Sequence, residues 1–174
     1  MEDNMKSSDL FIVDNTDENW QAHNYLSQWC DLSNAFDIAT GYFEIGSLLK
    51  LNGQWQKLKK IRILMGDEVS HRTEAALLEA LKEKLNKLDE SVETEKEDND
   101  FLTGVDNIVE AIRSGQIECR VYKKKKFHAK MYITHSSKDV IGSMALVGSS
   151  NFTIPGMTQN IEMNVQIKTD VSLL

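Results

Sequence analysis

FHAK at 127–130, VIGSMALVGSSN at 140–151 and NIE at 160–162 together decide how this chain folds. From Phe127 to Thr134 the side chains alternate: Phe127, Ala129, Met131 and Ile133 on one side, His128, Lys130, Tyr132 and Thr134 on the other. In a strand, His128 and Lys130 then point the same way, about 7 Å apart. The run VIGSMALV is apolar throughout, as expected of a strand covered on both faces. It delivers Ser149 and Asn151 at its end, two residues apart and able to face one side. The NIE tripeptide adds Glu162 at another strand end. An imidazole can attack phosphorus while an ammonium and an amide hold the phosphate oxygens. A carboxylate accepting the other ring N–H would fix its tautomer. His128, Lys130, Asn151 and Glu162 are therefore the candidate catalytic set, with Lys130, Ser149 and Asn151 as phosphate ligands. The chemistry calls for no metal.

Working outward, Asp17 or Thr16 is positioned to cap a helix through Cys30, and AFDIATGYF (35–43) has strand character. EIGSLLKLNGQWQKLKK (44–60) reads as a broken helix leading into the short apolar strand IRILMG (61–66). Ser70 or Thr73 opens a long helix with Leu77, Leu78, Leu81, Leu85 and Leu88 on its apolar side, and 102–113 forms another, stopped near Gly115. IECRVY, AKMYIT, VIGSMALVG and IEMNVQI follow as strands. Strands interleaved with helices early and in succession late predict an α/β fold, with a mixed central β-sheet flanked by helices on both faces. At 174 residues, 1–174 reads as a single domain.

The net charge of −7 argues against a nucleic-acid partner only until it is located. DESVETEKEDND at 89–100 holds seven acids and one lysine, so these residues carry −6 and the remainder only −1. They read as a flexible acidic loop. Lys123, Lys124, Lys125 and Lys126 run directly into the His128 segment and are candidate nucleic-acid contacts. Asp67, Glu68 and His71 read as a helix-entry cluster ahead of a metal site. Cys30 and Cys119 lack CxxC spacing and read as reduced, structural thiols of a cytoplasmic protein. No apolar run approaches a membrane span, and no Walker-type phosphate loop occurs.

HxK at 128–130, GSxN at 148–151 and the downstream Glu162 resemble the signature of the phospholipase D superfamily. The likeness is greatest to the single-copy, nuclease-type branch of some restriction enzymes and of the N-termini of helicase-like proteins. DIATGYFEIG (37–46) and RILMGDE (62–68) resemble the N-terminal region of such helicases. The resemblance implies a mixed sheet between helices and a metal-independent phosphodiesterase acting on DNA through a phosphohistidine on His128. It implies a partner histidine that protonates the leaving oxygen, with Glu162 orienting His128, Ser149 assisting, and no cofactor. With a single HxK in the chain, it implies a homodimer with the site on the two-fold axis. A helicase domain would follow in the full-length chain, and no membrane is involved. The family motif continues to an Asp, where this chain has His135. That departure favours one alternative, a non-catalytic dimerising DNA-binding module with a degenerate phosphate site. The other alternative is a lipid phosphodiesterase, which would call for exposed apolar loops at the mouth of the site.

Overall fold

A computed structural model of the protein describes residues 12–69, 73–74, 76–78, 100–138 and 142–168. Seven strands build one mixed sheet: β1 Ile12–Val13, β2 Ser33–Phe43, β3 Lys60–Val69, β4 Ile117–Val121, β5 Lys130–Ser136, β6 Met144–Gly148 and β7 Asn164–Lys168. Their order across the sheet is β1-β7-β6-β5-β2-β3-β4. The pairs β2–β3 and β3–β4 are parallel, whereas β5, β6, β7 and β1 join by antiparallel pairing. The parallel half needs crossover segments, which accounts for helices between its strands, while the antiparallel half closes with shorter connections.

Helices whose bounds are described are α1 Ala22–Asp31, α2 Ile45–Lys50, α3 Asp100–Arg113 and α4 Ile154–Thr158. Asp17 does act as a cap, but of a separate 3₁₀ turn at Glu18–Trp20, its carboxylate accepting from the Asn19 N–H. α3 ends before Gly115, whose φ of +80° is the left-handed conformation that stops a helix. The lone proline, Pro155, starts α4, where its missing N–H costs nothing. The long helix expected from Ser70 or Thr73 is helical at 73–74 and 76–78, and the rest of it lies outside the described residues, as does 89–99 of the acidic loop.

The mixed α/β sheet read from the sequence is what forms. Its described helices gather on one face: α1 packs on α4, and α2 packs on both α3 and α4. They bury Phe36, Ile38, Ile61, Ile63, Met65, Tyr132 and Leu146 in one core. Helical cover, expected on both faces, is found on this face among the described residues. The other face leaves Met131, Leu64 and Ile167 exposed. The alternation in β5 is therefore turned over: Lys130, Tyr132 and Thr134 point into the core, and apolar Met131 points out. In β6, likewise, Met144 and Leu146 are buried while Ala145 and Val147 are only half-buried. Hydropathy sets a strand's period, but tertiary cover sets which side is inside.

Candidate active site

The sheet brings the candidate residues to one end. Thr40 of β2 pairs with Lys130, and Gly148 of β6 pairs with Asn164. The C-terminal ends of β2, β3 and β6 thus lie beside the N-terminal ends of β5 and β7. Strand carboxyl ends are where open α/β sheets take ligands.

His128 lies just before β5 rather than within it, and is exposed. Its backbone crosses two glycines. A Cβ on Gly41 would stand 3.0 Å from the Phe127 carbonyl oxygen and 3.1 Å from His128 Cα. A Cβ on Gly66, in the neighbouring strand, would stand 2.4 Å from the Gly41 carbonyl oxygen. The Gly41 N–H donates to the Ala129 carbonyl at 2.7 Å, and β2 shifts register against β3 between Thr40 and Tyr42. Two side-chain-free positions and a bulge form a floor on which the Phe127–Ala129 segment rests. No protein group hydrogen-bonds the His128 ring among the described residues.

Lys130 is 8% exposed, and its ammonium donates to the His128 carbonyl at 3.2 Å. Burial lowers its pKa from the ordinary lysine value, the charge on Lys126 adds to the fall, and Glu162 opposes it. Lys123–Lys126 form an exposed loop between β4 and His128. Asn151 accepts the Tyr42 N–H on Oδ1 at 3.1 Å, which orients the amide and leaves its NH₂ without a protein acceptor among the described residues. Ser149 donates its hydroxyl to Glu162 Oε2 and accepts the Met163 N–H at 2.9 Å. The Asn160 amide reaches Glu162 Oε1 at 3.4 Å. No hydrogen bond joins Glu162 to the His128 ring, although its charge acts on Lys130.

Beneath these groups lies a buried polar layer that sequence reasoning did not single out. The Tyr132 hydroxyl donates to the Ser150 carbonyl, and burial raises its pKa far above the phenolic range. The Thr40 hydroxyl accepts the Phe152 N–H at 3.0 Å. Fully buried Asn164 donates to the Val13 carbonyl at 3.1 Å and to Ser150 Oγ at 2.9 Å. These bonds fix the GSSN turn on the ends of β2, β5 and β7. The signal for Gly41 and Gly66 was present in TGYF and LMGDE, since a glycine inside a strand pattern marks close backbone approach.

His135 lies on the opposite side of the sheet from Lys130. Its Nε2 pairs with Asp37 Oδ2 at 2.8 Å, and Arg62 grips the same carboxylate through Nε at 2.5 Å and Nη2 at 2.6 Å. Burial pushes the Asp37 carboxyl up, but the bonds from Arg62 and His135 outweigh it and hold the pKa below the usual range. A groove of about 520 Å³ on this face, lined by Asp37, Arg62, Glu118, Arg120, Met131 and Ile133 among others, contains none of the candidate residues. The side chains of Asp67 and Glu68, and all of His71, lie outside the described residues, among which no three His, Cys, Asp or Glu cluster to hold a metal. Cys30 and Cys119 are free thiols, each pushed up to about 12 by burial and a neighbouring acid. No described helix is long and apolar enough to cross a membrane.

Among solved structures, the chain is similar to yeast tyrosyl-DNA phosphodiesterase, at 12% identity and a TM-score of 0.48 over 78% of this chain and 26% of that one. It therefore spans about a quarter of the length of that enzyme. It is also similar to Nuc from Salmonella typhimurium, a phospholipase D family member, at 15% identity and a TM-score of 0.47 over 86% and 76% of the two chains. NucT from Helicobacter pylori matches at 13% identity and a TM-score of 0.44 over 87% and 79%. No curated protein matches the sequence. A family model described as "Cardiolipin synthase, PLD-like domain" matches residues 33–173, a span that takes in every candidate residue above, and the chain belongs to the phospholipase D-like family.

Proposed function

We propose that the protein is a phosphodiesterase acting on DNA, with His128 as nucleophile. The observation that carries this reading is an imidazole on a glycine floor, without a protein hydrogen bond among the described residues, beside the ammonium of a buried lysine that donates to that histidine's own carbonyl. In the first step the His128 nitrogen bonds to phosphorus as the P–O bond to the leaving group breaks, and a histidine of a second copy protonates the departing oxygen. In the second step that histidine takes a proton from water, the water oxygen bonds to phosphorus, and the P–N bond breaks. Lys130 and the free NH₂ of Asn151 stabilise the phosphoryl oxygens. Glu162, restrained by Ser149, balances the positive charge that builds on the ring. One HxK per chain makes a two-fold homodimer the working form, and a helicase or restriction protein is the context that the motif resemblance favours.

Incubating the chain with plasmid DNA in excess chelator tests this. Cleavage by the wild type, reduced on the order of a thousandfold or more in His128→Ala, is the expected result. DNA binding without cleavage by either protein would assign the chain to the non-catalytic alternative. A lipid substrate is favoured by one observation: Ile161 and Met163, flanking Glu162, are 79% and 66% exposed. Hydrolysis of vesicle phospholipid with DNA left intact would establish that reading instead.

A further inference from the structure

The loop that carries the four lysines is closed by an aromatic pair. Tyr122 and Phe127 meet across it with ring centroids 5.4 Å apart and planes tilted by 37°. The Tyr122 N–H is tied to the Met65 carbonyl at 2.9 Å, which extends the β3–β4 pairing by one residue. Phe127 is held from the other side, because its carbonyl oxygen packs on the floor made by Gly41 and Gly66. The pair is thus anchored to β3 at one end and to the histidine segment at the other. Tyr122 nevertheless stays 36% exposed, and Lys123–Lys126 are all exposed. A pair serving only to close the loop would gain most by burying both rings.

We propose that Tyr122 is a nucleobase-stacking subsite, selecting a polynucleotide strand with an unpaired base next to the phosphate at His128. This rests on the DNA reading above and deepens it. Tyr122 packs against Phe127, the residue immediately before His128, so subsite and reaction centre belong to one segment. The lysines between them neutralise flanking phosphates, while the aromatic face takes a base without regard to its identity. Bases within a duplex already stack on their neighbours and cannot reach an aromatic ring unless they are extruded. The loop therefore favours single strands, gaps and ends over continuous duplex.

The test is binding of the full chain to a fluorescent single-stranded oligonucleotide, a strand of the same length in which every position is abasic, and the matching duplex, at one fixed salt concentration. Tyr122→Ala is expected to weaken single-strand binding roughly 5- to 100-fold, the contribution of one stacked base. It should leave duplex and abasic-strand binding within about twofold, and Tyr122→Phe should restore the loss. Equal weakening on all three ligands would reduce the pair to a loop brace, and no change on any would remove the subsite; either result overturns the proposal. If the wild type binds none of the three, the DNA reading fails and the subsite falls with it.

Discussion

At the scale of single residues, the candidate site turns on Lys130, a lysine that is only 8% exposed. Below its lowered pKa Lys130 stays charged at the cost of desolvation, so this residue opposes folding there. That cost is relieved as pH rises through the lowered value toward the ordinary 10.5. In the proposed mechanism catalysis runs the other way, because only the ammonium would hold a phosphate oxygen. Cleavage is expected to fall on the alkaline side below the usual lysine range, and Lys130→Arg, which cannot lose its proton, should move that limb upward while lowering the maximum rate. A pH–rate profile of the two proteins reads this directly, and coincident limbs would dismiss Lys130 as the titrating group. Asn164 supplies a stability counterpart. Asn164→Ala strips partners from the buried Val13 carbonyl and Ser150 hydroxyl, and should cost about 2–4 kcal/mol in urea denaturation.

At the scale of elements, the ends of β2 and β3 do the positioning. Gly41→Ala would press a methyl group against the Phe127 carbonyl and His128 Cα, which can yield only by moving His128, the proposed nucleophile. A large fall in kcat with a stability loss of about 1–3 kcal/mol is expected from overpacking, and unchanged turnover would mean that the floor does not set the ring. In the proposed reading the four lysines act differently, through their charge. Replacing all four lysines by alanine should reduce the slope of log affinity against log salt by up to about 3 for a single strand. An unchanged slope would place the loop away from the nucleic acid.

At the scale of the whole molecule, β1 to β7 form a sheet whose face opposite the described helices carries the Asp37–Arg62–His135 cluster. Because the Asp37 pKa is depressed, its contribution to stability is complete above the ordinary 3.8 and is lost as pH falls through the lowered value. The melting temperatures of wild type and Asp37→Asn should therefore converge as pH falls from about 5 into the acid range, with the variant lower at neutral pH. A difference independent of pH would show that the carboxylate's charge is irrelevant. The proposed dimer makes a further claim at this scale: specific activity should rise with protein concentration until the mass in solution doubles.

The HxK, GSxN and downstream glutamate, together with the strand and helix periodicities around them, determined the α/β class and the candidate residues. These features are local, a matter of spacing and hydropathy along the chain. Which face of β5 is buried was not legible in the same way. The apolar row Met131 and Ile133 lies on the side opposite the described helices, and the choice depends on where α1, α2 and α4 pack. Nor did spacing reveal that Glu162 bonds Ser149, that Asn151 is held by the Tyr42 amide, or that His135 borrows its carboxylate from Asp37 on the next strand. Those partners are separated in sequence by between 13 and 109 residues. Only strand order and register bring them within hydrogen-bonding distance, and both are products of the folded sheet rather than of any one segment.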